Sequence, residues 1–242
     1  MRPRGGRRRR DLTAAGSRPY APHRSRVDPL LTMERQDPYG RDNGQWLSDR
    51  VAGMILAGGQ NRRMGGTDKA FLTVDGRSVF ERTLGLLRRC FPQVVVVSNS
   101  PAKYAHFDIE LTSDEFRGQG PLAGLHAGLA RVRHPFAFVV ACDMPFLRVE
   151  PIAFLVGRLA DQDAVVPRWE GDIEPLHALY ATRLRGPLER ALRNGAGAIR
   201  EFLPLIDVDY VPEADLRRIP GAEESFRNVN TPEEAARYAV RV

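Results

Sequence analysis

From residue 51 onward, short apolar runs alternate with segments whose apolar residues recur at helical spacing, and this alternation limits the folds open to the chain. Residues 51–57 form a nearly continuous apolar run that ends in glycines, which is the pattern of a buried parallel strand. In residues 80–91 the apolar positions fall on one face of a helix, and residues 94–97 are valines. The same reasoning predicts helices near residues 122–132, 152–159, 184–192 and 199–203 and after Pro232, and strands near residues 136–141, 164–166, 178–180 and 206–211.

Strands that are separated by helices of about 10–15 residues predict βαβ units. The chain is therefore expected to form an α/β fold with a mostly parallel sheet and helices on both faces. In such a sheet the ligand site lies outside the carboxyl ends of the strands. The residues that follow each predicted strand are the first place to look for chemistry.

The basic charge of the chain lies in its first fifth. Residues 1–50 contain 12 Arg, no Lys and 6 Asp or Glu, which accounts for the whole net charge of +6 and leaves the remainder formally neutral. Because this segment has no apolar periodicity, we expect a disordered, Arg-rich extension over residues 1–50 and one domain over residues 51–242. An apolar stretch does not follow the arginines at 7–10, which argues against a twin-arginine export signal. A nucleic-acid-binding arm, a solvated tail and a start of translation at Met33 all remain open.

Composition excludes several classes of protein. The sequence has no run of the roughly 18–20 apolar residues that a membrane-spanning helix needs, so no integral membrane protein is expected. Its only cysteines, Cys90 and Cys142, are too few for a disulfide framework or a four-cysteine zinc site. The five histidines lie in unrelated contexts, and no Ser-His-Asp set is apparent.

The first informative strand end is a glycine-rich basic loop. Residues 56–69 read Leu-Ala-Gly-Gly-Gln-Asn-Arg-Arg-Met-Gly-Gly-Thr-Asp-Lys, which matches neither the P-loop nor the dinucleotide fingerprint. Paired glycines let backbone N–H groups approach an anion, and Arg62, Arg63 and Lys69 add side-chain cations. We favour phosphate binding here over a merely flexible loop.

Two later strand ends carry acidic or glycine-rich residues. Asp143 follows the apolar run at 136–141, so it is placed either to hold Mg²⁺ or to cap a turn. Asp114 follows the stretch at 109–111 and is a weaker candidate of the same kind. The glycine turn at 118–124 runs into a helix and reads mainly as a structural turn.

Five motifs at these positions resemble, in order, those of the molybdenum cofactor guanylyltransferases, part of the nucleotidyltransferase group that includes the sugar-nucleotide pyrophosphorylases. They lie at residues 56–69, 120–124, 142–145, 174–180 and 228–234, so the resemblance spans roughly residues 53–240. The Gly-Gly-x-Asp-Lys ending of the first motif and the Asn-x-Asn-Thr-Pro-Glu-Glu motif are similar to the guanylyl branch. Cytidylyl relatives tend to read Ala-Ala-Gly and lack the Asp-Lys ending.

The resemblance implies a Rossmann-like three-layer sandwich of the nucleotidyltransferase type and a cytoplasmic enzyme. It implies transfer of GMP from GTP to the phosphate of molybdopterin, with Mg²⁺ as the cofactor and pyrophosphate as the second product. The alternative is a related enzyme that uses CTP on the molybdenum cofactor or an NTP on a sugar phosphate. Expected partners are GTP, molybdopterin and a recipient oxidoreductase or insertion protein, with no membrane and no nucleic acid.

The resemblance also assigns site residues. Nucleotide contacts fall on Leu56, Ala57, Gly58, Gly59, Lys69, Asn99 and Asp114. Catalytic roles fall on Arg63, Lys69 and Asp143, and Asp143 also holds the metal. Asn228 and Asn230 fall on the side of the acceptor cofactor.

Overall fold

The computed structural model describes residues 46–58, 69–229 and 232–238. The strands in these ranges are β1 (Val51–Leu56), β2 (Thr73–Val74), β3 (Arg77–Ser78), β4 (Val94–Val97), β5 (Glu110–Thr112), β6 (Phe136–Ala141), β7 (Ala164–Trp169), β8 (Asp172–Ile173), β9 (His177–Ala181) and β10 (Val208–Val211). The α-helices are α1 (Val79–Cys90), α2 (Gly120–Leu129), α3 (Val149–Gly157), α4 (Arg185–Arg193), α5 (Ile199–Phe202), α6 (Glu213–Leu216), α7 (Ala222–Ser225) and α8 (Pro232–Arg237).

The main sheet has the strand order β10-β7-β9-β6-β1-β4-β5, and β8 extends it by pairing with β7. β1 is parallel to its neighbours β4 and β6, and β5 is parallel to β4. β9 is antiparallel to both β6 and β7, whereas β10 is parallel to β7. The prediction of a mostly parallel sheet is confirmed. Because β9 runs against β6, its first residue lies at the edge where β6 ends.

Helix α1 shows how the local sequence sets an element. Its N-cap, Ser78, accepts a hydrogen bond from the Glu81 N–H at 3.1 Å, and the Glu81 carboxylate accepts one from the Ser78 N–H at 2.8 Å. This capping box satisfies two N–H groups that the first turn of a helix leaves unpaired. The apolar face of α1 then buries Phe80, Leu84 and Leu87 against the sheet.

Helices cover both faces of the sheet. Side chains from α1, α3, α6 and α7 pack into the core on one face, and those from α2, α4 and α5 pack into the core on the other. Alternate residues of β6 divide between the two cores: Phe138 and Val140 face the first, Ala137 and Val139 the second. The predicted three-layer architecture is confirmed.

The structure differs from the predicted elements mainly in its short strands. The hairpin of β2 and β3 and the strand β8 were not predicted, because two-residue strands carry no periodicity to detect. The strand expected at 206–211 begins at Val208. Residues 46–50 contact the fold, since the Leu47 N–H donates to the Cys90 carbonyl at 3.0 Å. The disorder expected for the extension concerns residues 1–45, which lie outside the described residues. No helix in the described ranges is long and apolar enough to cross a bilayer.

Candidate active site

The carboxyl edge of the sheet brings together the ends of four adjacent strands, β6, β1, β4 and β5. Leu56 is the last residue of β1, and the Ala57 N–H that follows donates to the last carbonyl of β4 at 2.8 Å. Gly58 is exposed, and a Cβ placed on it would meet no atom within 4 Å. Of the predicted nucleotide contacts, Gly58 therefore borders open space, whereas Leu56 and Ala57 are buried. Gly59 and Arg63 lie outside the described residues.

Lys69 and Asp143 meet at this edge. The Lys69 Nζ lies 3.8 Å from the Asp143 Oδ2, and 19% and 29% of the two side chains are exposed. Lys69 begins a short helical turn, and Asp143 lies in the turn directly after β6. Partial burial raises the pKa of the Asp143 carboxyl, and the nearby Lys69 charge opposes that shift. Two residues that are 74 positions apart in sequence thus form an ion pair that a ligand can reach.

A segment near the carboxyl end of the chain lies against Asp143. The Val229 N–H donates to the Asp143 carbonyl at 2.8 Å. The preceding residue, Asn228, has a buried Oδ1 without a hydrogen-bond partner among the described residues. Asn228 therefore has an acceptor oxygen that the described residues leave unpaired, and Asn230 lies outside the described residues.

Asn99 and Asp114 form a reciprocal pair after β4 and β5. The Asn99 Nδ2 donates to the Asp114 Oδ2 at 2.6 Å, and the Asp114 N–H donates to the Asn99 Oδ1 at 3.2 Å. The other carboxylate oxygen of Asp114 is buried without a partner in the described part of the chain. Because neighbouring strands are about 4.8 Å apart, the end of β5 lies roughly 14 Å along the edge from the end of β6. The predicted residues thus line one edge long enough for an extended ligand.

The glycine turn before α2 is required by a close backbone approach. Gly118 and Gly120 have φ angles of 82° and 70°, which favour glycine. A Cβ on Gly120 would lie 2.9 Å from the Gly197 carbonyl oxygen, which accepts a hydrogen bond from the Leu122 N–H at 3.1 Å. The structural interpretation of this turn agrees with the packing.

Glu174 is a site residue that sequence reasoning did not assign, although it lies within one of the five motifs. It precedes β9 and so lies at the carboxyl edge beside the end of β6. Burial, followed by the charge of Asp143, raises the pKa of Glu174 to about 7, while Arg200 opposes the shift. Nothing in the sequence indicates that β9 is antiparallel, so this proximity could not be predicted.

The side chain of His177, the first residue of β9, points into the core. Its side chain is fully buried, with its ring 4.3 Å from that of Phe226 and 5.2 Å from that of Phe138. Neither ring nitrogen has a hydrogen-bond partner in the described ranges, and burial lowers the pKa of the imidazole to about 3. His177 is therefore a neutral core residue. Cys142 is also buried in the core.

Comparison with known proteins identifies the family of the chain. The model of the MobA-like NTP transferase domain matches residues 53–208. The chain belongs to the MobA-like NTP transferase family. The matched range of this nucleotidyltransferase includes Lys69, Asp143 and Glu174 and ends before Asn228.

Individual relatives agree with the family match. A molybdenum cofactor guanylyltransferase from Desulfosudis oleivorans is 38% identical over 187 residues, which are 77% of this chain and 93% of that protein. A probable molybdenum cofactor guanylyltransferase from Pelotomaculum thermopropionicum is 34% identical over 191 residues, 79% of this chain and 93% of that protein. The crystal structure of molybdopterin-guanine dinucleotide biosynthesis protein A from Archaeoglobus fulgidus is similar with a TM-score of 0.68 and 31% identity, covering 77% of this chain and 96% of that one. The MobA-like fold is thus shared over nearly the full length of these relatives.

Proposed function

We propose that the protein transfers GMP from GTP to the phosphate of molybdopterin, which forms the guanine dinucleotide of the cofactor and releases pyrophosphate. The observation that carries the proposal is the Lys69–Asp143 pair, 3.8 Å apart at the carboxyl edge. It occurs in a chain that is 38% identical to a molybdenum cofactor guanylyltransferase. A cation and a carboxylate beside an open glycine segment suit a ligand made of phosphates and a metal ion.

The donor atoms at this edge fit Mg²⁺. Mg²⁺ prefers hard oxygen ligands and is usually held by one or two carboxylates, phosphate oxygens and water. Asp143 supplies a reachable carboxylate. Asn228, which precedes the residue bonded to the Asp143 carbonyl, has an Oδ1 that the described residues leave unpaired. The described residues contain no group of three or more His, Cys, Asp or Glu that could form a closed metal cage. Asp143 would therefore hold Mg²⁺ jointly with the substrate, and the bound ion would supply positive charge to the reacting phosphates.

The barrier to the reaction is repulsion between two anions. An acceptor monoester phosphate is largely ionised near pH 7, so its oxygen can attack the α-phosphorus of GTP without a general base. The new P–O bond forms as the bond from the α-phosphorus to the bridging oxygen breaks, and the electron pair leaves with pyrophosphate. Lys69 would donate hydrogen bonds to the phosphates and lower the repulsion, and Arg63 is proposed to add a second cation.

Binding and orientation fall to residues along the rest of the edge. The exposed backbone of Gly58 would approach the nucleotide closely, and Leu56 and Ala57 are proposed to contact it from the end of β1. Asn99 and Asp114, held together by two hydrogen bonds, would contact the nucleotide farther along the edge. Asn228 and Asn230 are proposed to face the acceptor. The arrangement would hold the attacking oxygen and the leaving pyrophosphate in line.

Pyrophosphate release with molybdopterin and each of the four NTPs tests the proposal. GTP should be the preferred donor, and Lys69→Ala and Asp143→Asn should each lower turnover by about 10²–10³-fold. Asp161→Asn is the matched control, because Asp161 is exposed and precedes β7 at the opposite edge of the sheet. Preference for CTP, or near-wild-type turnover in either site variant, would refute the assigned function or roles.

A further inference from the structure

Two ion pairs of the carboxyl edge lie near Glu174. Arg200 is paired with Asp172 on the hairpin of β7 and β8, and Lys69 is paired with Asp143. Glu174 precedes β9, between the β7–β8 hairpin and the end of β6. In the described ranges its carboxylate forms no ion pair with a cation.

The strand pairing explains why these two carboxyls are close. β9 is antiparallel to β6, with His177 opposite Val140, and the N–H of the last residue of β6 donates to the Leu176 carbonyl at 3.3 Å. The residues that precede β9 therefore lie beside the residues that follow β6. The Glu174 N–H donates to the Pro167 carbonyl of β7 at 2.9 Å, so Glu174 lies in line with β9, beside the turn that holds Asp143.

The carboxylate of Glu174 has no hydrogen bond or ion pair with another residue in 46–58, 69–229 or 232–238. The guanidinium of Arg200 is instead engaged by the Asp172 carboxylate and by the Ile173 carbonyl, the latter at 2.8 Å. A half-buried carboxylate that faces another carboxylate is unfavourable unless a cation compensates both.

We propose that Glu174 is a second acidic ligand of the divalent cation that Asp143 holds. The inference rests on the proposed function, because it assumes a metal ion at Asp143, and it adds a residue to that site. A divalent cation between Glu174 and Asp143 would compensate the charge of both carboxylates. Because Arg200 is already paired with Asp172, its guanidinium does not neutralise Glu174, and the Glu174 carboxylate remains available to the cation.

Direct titration of Mn²⁺ into the full-length protein tests this assignment without reference to turnover. Free Mn²⁺ is followed by its electron paramagnetic resonance signal, with and without a non-hydrolysable GTP analogue. Glu174→Gln should weaken Mn²⁺ binding by roughly tenfold or more, because it removes one of two anionic ligands while keeping the shape of the side chain. Glu174→Asp keeps the charge and should bind with intermediate affinity.

Glu170→Gln is the matched control, since it removes an exposed acid from the same hairpin and should leave Mn²⁺ affinity unchanged. Circular dichroism melting confirms that each variant is folded. If Asp143→Asn weakens Mn²⁺ binding and Glu174→Gln does not, Glu174 is not a ligand, and the proposed function stands without it. If Glu174→Gln weakens Mn²⁺ binding and Asp143→Asn does not, the two residues do not share one cation, and this inference is wrong. If neither variant changes Mn²⁺ affinity, both this inference and the metal site of the proposed function are wrong.

Discussion

Replacing His177 with leucine should remove a pH-dependent loss of stability. The imidazole of His177 is fully buried between the rings of Phe138 and Phe226, and burial lowers its pKa to about 3. In the unfolded chain the imidazole pKa returns to about 6.5. Leucine has a similar volume, suits the apolar surroundings and cannot be protonated.

The magnitude follows from proton linkage. Between pH 3 and pH 6.5 the unfolded state binds a proton at His177 and the folded state does not, so the free energy of unfolding falls as the pH falls. From pH 7 to pH 5 this one group should cost about 2 kcal/mol. Glu174 acts in the opposite direction, because its pKa in the folded state is raised to about 7 and folding therefore takes up a proton as the pH falls. The Glu174 contribution is present in both proteins and cancels in the comparison.

Urea unfolding followed by circular dichroism at pH 5, 6 and 7 measures the effect. Between pH 7 and pH 5 the wild type should lose about 2 kcal/mol more of its free energy of unfolding than His177→Leu does. His106→Gln, which alters an exposed histidine, is the control and should follow the wild type. A difference that is the same at pH 5 and pH 7 would refute the assignment of His177 as a buried neutral imidazole.

Two further predictions concern the site loops. Gly195→Ala should cost about 1–2 kcal/mol of stability from its φ of 89° alone. Gly120→Ala should lower the free energy of unfolding in urea by about 1–3 kcal/mol more than Gly195→Ala does, because its Cβ would lie 2.9 Å from the Gly197 carbonyl oxygen. Equal losses in the two variants would contradict this reason. Asn99→Ala removes both hydrogen bonds to Asp114 and should raise KM for GTP roughly tenfold with little change in kcat; a loss confined to kcat would argue against a binding role.

The central sheet could be predicted from the sequence because each of its main strands is a short, continuous apolar run. The apolar runs at 51–57, 94–97 and 136–141 are buried in adjacent parallel strands, as their composition indicates. The position of Lys69 and Asp143 after such strands was enough to place both at one edge. That edge is where the structure brings them within 3.8 Å.

What the sequence could not predict depends on how distant segments meet. The role suggested for Glu174 follows from the antiparallel direction of β9. The sequence of a short, mostly apolar strand does not indicate its direction in the sheet. The glycine at 120 reads as a turn, but its contact with Gly197, 77 positions later, is a property of the packed fold. The pairing of Asn99 with Asp114 likewise requires that β4 and β5 be neighbours.

The central claim is that this edge joins the α-phosphate of GTP to a molybdopterin phosphate. The most direct measurement follows radioactive phosphorus from GTP labelled at either the α or the γ position, with molybdopterin as the acceptor. If the acceptor phosphate attacks the α-phosphorus, the α label should enter a pterin dinucleotide and the γ label should leave as pyrophosphate. Release of the γ label as inorganic phosphate, or an α label that never joins the pterin, would contradict it.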